Sequence, residues 1–168
     1  KPGSEGILGY GQYSRGDGLN YQASAYCGFQ FGNGGHAAFT GEYLDRGSSD
    51  RSPGLRIIGD TAVGDVSVSF DGNLPLGDIG GLYLTAGYQQ RDASSGAFER
   101  GGIGTNDIPS RNSALLYPNG FVPFINGDLE DRSLAAGFKT QFGEWYADFS
   151  QSYGYNRFDY RITNTLNA

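Results

Sequence analysis

Few residues in this chain have the types and spacing that catalysis requires. His36 is the one histidine of the sequence, and it follows a Gly-rich turn. No serine stands in a G-x-S-x-G motif, so a Ser/His/Asp triad is not indicated. Carboxylates such as Asp65, Asp71 and Asp148 could act in pairs in glycoside hydrolysis, but a polar strand face explains them better. We therefore predict that the chain is not an enzyme.

Metal and phosphate chemistry have equally weak signals. Asp128, Glu130 and Asp131 form an acidic cluster whose oxygens could bind calcium, but their spacing differs from that of an EF-hand loop. Solvated charges at the start of a strand are the simpler interpretation. The glycine-rich stretch at 101–104 lacks the lysine of a P-loop and precedes no predicted helix. We predict no bound metal and no cofactor.

The best ligand-binding candidates are arginines and aromatic residues in and beside the longest irregular segment. Together they suit a flat or anionic ligand, through stacking and bidentate contacts. The alternative is that the apolar run containing Pro118 and Pro123 only packs this segment against the rest of the fold. The candidates are Arg91, Arg100, Arg111, Tyr117, Phe121 and Phe124.

The composition favours an all-β chain with many turns. The 168 residues include 29 Gly, 12 Tyr and 11 Phe, and aromatic residues make up 14% of the chain. The formal net charge of −6 argues against nucleic-acid binding. Cys27, the single cysteine, lies between apolar neighbours and is predicted to act as a small hydrophobe. The sequence contains no methionine, so we expect a processed product or a piece of a larger protein.

Alternation of apolar and polar residues predicts about seven strands. In the tail, Leu134, Ala136 and Phe138 share one face of a strand that ends at a tight Gly143-Glu144 turn. The next strand begins at Trp145. The predicted strands cover residues 7–15, 20–31, 36–45, 65–71, 82–91, 131–142 and a last stretch that starts at 145.

The connections between these strands alternate between tight and long. The two longest are predicted at about 46–62 and 92–130. An up-and-down meander with short turns at one end and long loops at the other has this pattern, which is the layout of outer-membrane barrels. Trp145 and Tyr146 would then lie at the inner interface, where aromatic girdles occur. An ordinary half-exposed antiparallel sheet or sandwich is the alternative.

Several stretches resemble the barrel of TonB-dependent outer-membrane receptors. They are YGQYSRGDGLNYQASAYCGFQFGNGGHAAFTGEYLDRG (10–47), GLYLTAGYQQRDASSGAFER (81–100), LYPNGFVPFINGDLEDRS (116–133) and SYGYNRFDYRITNTLNA (152–168). The resemblance implies uptake of a scarce nutrient, such as a ferric siderophore, cobalamin or an oligosaccharide. It also implies a Gram-negative outer membrane, contact with its lipid, and energy supplied by the TonB complex through a plug domain.

The sequence departs from this family in length and in recognisable parts. Family barrels have about 22 strands, whereas about seven are predicted here, and no plug, TonB box or closing strand is recognised. We therefore predict a single unit over 1–168: an antiparallel up-and-down meander of about seven strands, forming a segment of a larger transmembrane β-barrel whose rest and plug are partners. The alternative is a β-rich surface or secreted module that self-assembles through its sheet edges.

Overall fold

Seven strands form one antiparallel sheet in the computed structural model, which describes residues 2–32, 34–105 and 116–166. Each strand pairs only with its neighbours in sequence, so the prediction of an up-and-down meander is confirmed. The strands are β1 (Gly3–Gly11), β2 (Asn20–Gln30), β3 (His36–Arg46), β4 (Ala62–Pro75), β5 (Gly81–Gly96), β6 (Phe124–Phe142) and β7 (Trp145–Thr163).

Short and long connections lie at opposite ends of the sheet. The short ones, at 31–35, 76–80 and 143–144, share one end, and the long ones, at 12–19, 47–61 and 97–123, share the other. We call these the turn end and the loop end. The sheet does not close, because β1 pairs only with β2 and β7 pairs only with β6. With an odd number of strands in the meander, β1 and β7 run in the same direction.

Two strands, β5 and β6, extend well beyond the ends that the alternation predicted at the loop end. β5 continues past Arg91 to Gly96, β6 begins at Phe124 rather than Asp131, and the two remain paired over this extension. The prediction stopped short because the polar and apolar faces exchange near this point. A run that changes its face loses the simple period of two, although its backbone continues as a strand.

The sheet is a single layer with almost no core. Across the described parts of the chain, Phe121 and Val122 are the only buried hydrophobic residues, and both belong to the 97–123 loop. The chain exposes 11407 Å², whereas a compact monomer of 18.0 kDa would expose about 8,000 Å². Such a sheet needs another surface against its apolar side.

The turn at 76–80 is tied firmly to the neighbouring hairpin. The Thr140 hydroxyl is buried and donates a 2.6 Å hydrogen bond to the Ile79 carbonyl. Gly80 has φ +136°, and a side chain there would overlap the Lys139 carbonyl. The absence of a Cβ at Gly80 therefore allows β5 to start directly beside β6.

Among the residues that the structure describes, no helix is long and apolar enough to span a membrane.

Candidate functional site

One face of the sheet carries a continuous apolar band. Directly opposite residues in an antiparallel sheet share a face, so the register fixes its members. Representative rows are Cys27–Phe39–Phe70–Ala86–Leu134–Tyr153 and Leu74–Leu82–Phe138–Phe149. Most of these large side chains are exposed. A groove of about 980 Å³ on this apolar face is lined by Phe70, Leu84 and Phe138 among others.

Tyrosines mark the border of this band towards the loop end, and the border runs obliquely across the strands. The row of directly opposite residues that contains Tyr21 runs through Asp45 on β3 and Asp92 on β5. The border tyrosines of those two strands, Tyr43 and Tyr88, lie two and four residues nearer the turn end than this row. On β7 the same row reaches Asp159, and the border tyrosine, Tyr155, again lies four residues nearer the turn end. The shift is about 13 Å over three to five strand spacings, which corresponds to an angle of roughly 30–40°.

The border towards the turn end is displaced in the same direction. At the turn end the border lies at Phe29 on β2 and at Trp145 on β7. The row of Phe29 runs through β3 to β6 and reaches β7 at Gln151, and Trp145 lies six residues nearer the turn end than Gln151. The band thus keeps its height while it shifts across the sheet. From Tyr21 to Phe29 it covers nine residues, about 30 Å along the strand and about 23 Å in height after a tilt of about 40°.

Beyond the tyrosine border the two faces exchange polarity. The face that was apolar now carries a row of aspartates, Asp92, Asp128 and Asp159, on adjacent strands. The face that was polar now carries Leu129, Phe158 and Tyr160 among others. The apolar face is therefore suited to an apolar surrounding along the band and to water above it.

An arginine between two tyrosines stabilises this transition. The Arg132 guanidinium lies 5.9 Å from the Tyr88 ring centroid and 5.5 Å from the Tyr155 ring centroid. Its Nε also donates a 2.7 Å hydrogen bond to Glu130, which lies 3.6 Å from Arg157. The long aliphatic stem of Arg132 can stay at the edge of the band while its charge reaches the polar zone.

The polar face carries paired charges along the strands. Asp65 Oδ2 accepts hydrogen bonds from Gln89 (2.8 Å) and from Arg91 (2.6 Å). Towards the turn end, His36 Nε2 lies 2.8 Å from Asp71, and the Tyr83 hydroxyl donates to Asp148 at 2.9 Å. These pairs are linked across strands, so this face is a fixed, polar wall.

Two of the long loops are joined by a charged clamp. Arg51 makes a bidentate pair with Asp17, and its guanidinium lies 5.0 Å from the Tyr13 ring centroid. The Tyr13 hydroxyl donates a 2.5 Å hydrogen bond to Asp60. Hydrogen bonds from Arg51 hold the pKa of Asp17 below its usual range, while the bond to Asp60 raises the pKa of Tyr13. The loop at 47–61 is therefore held over the loop at 12–19.

Asp17→Asn is expected to loosen this clamp. The backbone amide of Asp50 donates a hydrogen bond to Asp17 Oδ2 at 3.2 Å. In the Asp17→Asn variant, the protection of the Asp50 amide against hydrogen exchange should therefore fall several-fold at neutral pH. Because folding lowers the pKa of Asp17, the stabilisation that its carboxylate gives the folded loop is complete when the pH is above the ordinary pKa of 3.8. This stabilisation is lost as the pH falls through the lower pKa that Asp17 has in the folded loop.

Hydrogen exchange measured against pH checks this prediction. The wild-type loop should lose protection on acidification, and the Asp17→Asn variant should lose this pH dependence. Asp78→Asn, in the turn at the other end of the sheet, serves as the control and should leave the Asp50 amide unchanged. Equal protection in the wild type and Asp17→Asn would show that the clamp contributes nothing to loop order.

The predicted ligand-binding residues are not gathered in one place. Phe121 is buried, its ring centroid lies 4.3 Å from that of Tyr117, and its backbone pairs with that of Arg100. Phe124 opens β6 opposite Gly96, and Arg91 lies on the polar face with Asp65. Arg111 lies outside the described residues. Ligand binding by this set stays a prediction, while the packing of Tyr117 and Phe121 matches the alternative interpretation.

The loop at 97–123 is also attached to the end of β7. The Asn164 side chain donates a 2.7 Å hydrogen bond to the Val122 carbonyl and accepts one from the Tyr117 hydroxyl at 3.2 Å. Asn164 has φ +49°, a conformation that asparagine tolerates. These bonds give Tyr117 a structural role at the loop end.

Sequence reasoning missed Phe158 and Tyr160. They follow Asn156 on the polar face, where aromatic residues break the pattern of β7. That break in the alternation was the signal available in the sequence.

Within residues 2–32, 34–105 and 116–166, no group of three or more His, Cys, Asp or Glu side chains is arranged to hold a metal ion. No family model, curated protein or solved structure matches the chain.

Proposed function

We propose that this chain is a segment of a transmembrane β-barrel in a Gram-negative outer membrane, of the TonB-dependent receptor type. It serves the uptake of a scarce small-molecule nutrient such as a ferric siderophore. In this role the apolar band meets lipid and the polar face lines the lumen. The chain acts without enzymatic activity, and the TonB complex drives uptake through a plug domain.

The observation that carries the membrane assignment is the oblique apolar band with tyrosines on its border and exchanged polarity above it. Strands of transmembrane barrels tilt by roughly 35–45°, and their outward apolar band is about 25 Å tall. A flat lipid layer crossing tilted strands would produce the observed shift from Tyr21 to Tyr155. A protein core would not require the apolar face to become charged at one level on several strands.

The two unpaired edges support membership of a larger ring. Each edge exposes a row of backbone groups, and in lipid each unsatisfied group costs several kcal/mol. Because β1 and β7 run in the same direction, they cannot pair as antiparallel neighbours. Further strands, from the rest of the barrel, would complete both edges. The receptor type itself rests on the resemblance of the quoted stretches.

The same edges favour a second candidate, a surface or secreted module that assembles edge to edge with its own copies. In that case the protein would form ordered multimers in the absence of lipid. The chain extracted with detergent from outer membranes, in a species of far higher mass, would instead support the barrel. An exclusively 18.0 kDa soluble species would count against the barrel.

Trp145 provides a direct test of the lipid assignment, because it is the single tryptophan of the sequence. It is 78% exposed and lies at the turn-end border of the apolar band, opposite Phe142. In vesicles of brominated phosphatidylcholine, we expect its emission to be quenched. Bromine near the headgroup should quench more strongly than bromine near the chain ends.

The control is a protein in which the tryptophan is moved to the polar face by combining Trp145→Phe with Phe158→Trp. Its emission should be the same in plain and brominated vesicles. Unquenched emission from Trp145 in the folded, vesicle-bound protein would contradict the lipid assignment.

A further inference from the structure

Two loops meet at the loop end in a surface that is both cationic and apolar. The Arg56 guanidinium, from one loop, lies 4.8 Å from the ring centroid of Phe98 in the other. Arg100 follows two residues after Phe98, and both side chains are exposed, whereas Glu99 between them is partly buried. Leu55, beside Arg56, is also exposed. We call this surface the loop patch and define it by Leu55, Arg56, Phe98 and Arg100.

The charges of the three long loops balance in number but not in placement. The described parts of the loops at 12–19, 47–61 and 97–123 carry four arginines and four carboxylates. The arginines are Arg15, Arg51, Arg56 and Arg100, and the carboxylates are Asp17, Asp50, Asp60 and Glu99. A partner that approaches the loop end therefore meets whichever of these charges the loops leave unpaired.

The carboxylates are occupied by the loops themselves. Asp17 and Asp60 are already held by the clamp, through Arg51 and the Tyr13 hydroxyl. Asp50 Oδ1 accepts hydrogen bonds of 2.8 and 3.2 Å from two backbone amides of its own loop. Glu99 Oε2 is shielded from solvent. The negative charge of the loops is thus paired or turned inward.

The arginines are placed in the opposite way. The six ion pairs among the described residues do not include Arg15, Arg56 or Arg100, and all three are exposed. The chain has a net charge of −6, but Asp92, the last carboxylate of β5, is eight residues from Arg100. That is about 26 Å along an extended chain, well beyond the Debye length of about 8 Å at physiological salt. The loop patch is therefore locally positive on an acidic protein.

The apolar members of the patch set a second requirement on a partner. Phe98 is 65% exposed and Leu55 is 52% exposed. A small anion would neutralise the arginines but would leave both apolar side chains in water, and the two largest grooves, of about 980 and 630 Å³, are lined by other residues. Aromatic residues and arginine together are enriched where proteins bind proteins.

Lipid and nucleic acid fit the patch less well than a polypeptide. In the proposed barrel, β5 continues for eight residues beyond Tyr88 to Gly96, which places the patch about 20 Å above the apolar band. The headgroup layer is thinner than that. Nucleic-acid binding draws its affinity from many phosphate contacts, whereas the patch offers two arginines.

We propose that the loop patch docks an acidic, amphipathic polypeptide segment of a partner protein. Carboxylates of the segment form bidentate pairs with Arg56 and Arg100, and its apolar side chains cover Phe98 and Leu55. This interaction is separate from nutrient uptake, and it rests on the arrangement of the loops rather than on the membrane assignment.

The test titrates the full chain, folded in detergent micelles, into a fluorescein-labelled peptide in which glutamate alternates with leucine and tyrosine. Fluorescence anisotropy measures binding, with empty micelles as the blank. The comparison probes are the same peptide with lysine in place of glutamate, oligoglutamate of equal length, and oligothymidylate. We expect the acidic amphipathic peptide to bind, and each comparison probe to bind more weakly by about tenfold or more.

Substitutions then locate the binding on the loops. Arg56→Glu and Arg100→Glu should each weaken binding about tenfold, and Phe98→Ala about fivefold. Because Arg100 is in no ion pair among the described residues, its substitution does not remove a contact that orders the loops. Arg15→Glu is the matched control: it makes the same charge change at an exposed, unpaired arginine of the 12–19 loop, and it should bind the peptide as the wild type does.

The remaining outcomes contradict the proposal. No binding of the acidic amphipathic peptide overturns it. Equal binding of oligoglutamate or oligothymidylate would show that negative charge alone is recognised, and an equal loss in Arg15→Glu would show diffuse attraction without a docking site. Trp145 quenching in vesicles reports the barrel separately, so a protein that binds the peptide but does not insert would overturn the membrane assignment alone.

Discussion

Leu84→Arg is expected to prevent stable insertion of the protein into a bilayer, whereas Thr85→Arg at the next position should insert normally. Leu84 lies within the apolar band, opposite Gly72 and Ala136. An arginine on the lipid face near the bilayer midplane costs about 2–4 kcal/mol. Thr85 lies on the polar face opposite Asp71, where an added guanidinium would gain a carboxylate partner. Guanidinium-titrated folding into phosphatidylcholine vesicles measures the difference.

The same pair of variants separates the two candidate functions by the sign of the effect. If the apolar face of the sheet met water, Leu84→Arg would remove an exposed apolar side chain and improve solubility. If it packed between copies of a self-assembling module, Leu84→Arg would dissolve the multimers without any lipid. Equal insertion of Leu84→Arg and Thr85→Arg would contradict a lipid-facing band.

Gly80→Ala is expected to destabilise the sheet by about 3–5 kcal/mol, because backbone strain adds to a steric overlap. At φ +136° an L-residue is strained whatever its surroundings, and the new Cβ would overlap the Lys139 carbonyl. Relief would require β5 to move away from β6, which would break the bond between Thr140 and Ile79. The free energy of unfolding in detergent micelles, from guanidinium titration, gives the magnitude.

Gly77→Ala is the control within the same turn. Gly77 has φ +63° and nothing within 4 Å of an added Cβ, so its substitution should cost only about 1–2 kcal/mol. The difference between the two variants isolates the close approach of the turn to β6. Equal costs at the two positions would mean that the overlap at Gly80 is relieved without loss of sheet contacts.

The strands were predictable because each one carries its own pattern. Leu134, Ala136 and Phe138 alternate with polar neighbours, and such alternation is a local property of a strand. Tight turns such as Gly143-Glu144 then fix which strands are adjacent, so the meander also follows from sequence. The prediction was weaker where the pattern changes face, and it ended β5 near Arg91 although the strand continues to Gly96.

The candidate site was less predictable because its members are brought together by register. Phe158 lies beside Leu129 and Arg91 through pairs separated by many residues in sequence. The aromatic residues chosen from the long loop, Tyr117 and Phe121, instead pack against each other and the end of β7. No local pattern distinguishes an aromatic residue that packs a loop from one that presents its face.

The antiparallel meander with one apolar and one polar face follows from the sequence alone, since period-two alternation and turn chemistry act over a few residues. The stagger of the seven strands is visible only in the folded sheet. That stagger aligns Tyr21, Tyr88 and Tyr155 along an oblique border, places Asp92, Asp128 and Asp159 in one row, and lays Phe158 over Gly127. A shift of the register by one residue would reverse every one of these faces, and the backbone pairing of each strand with its neighbours along its length is what prevents it.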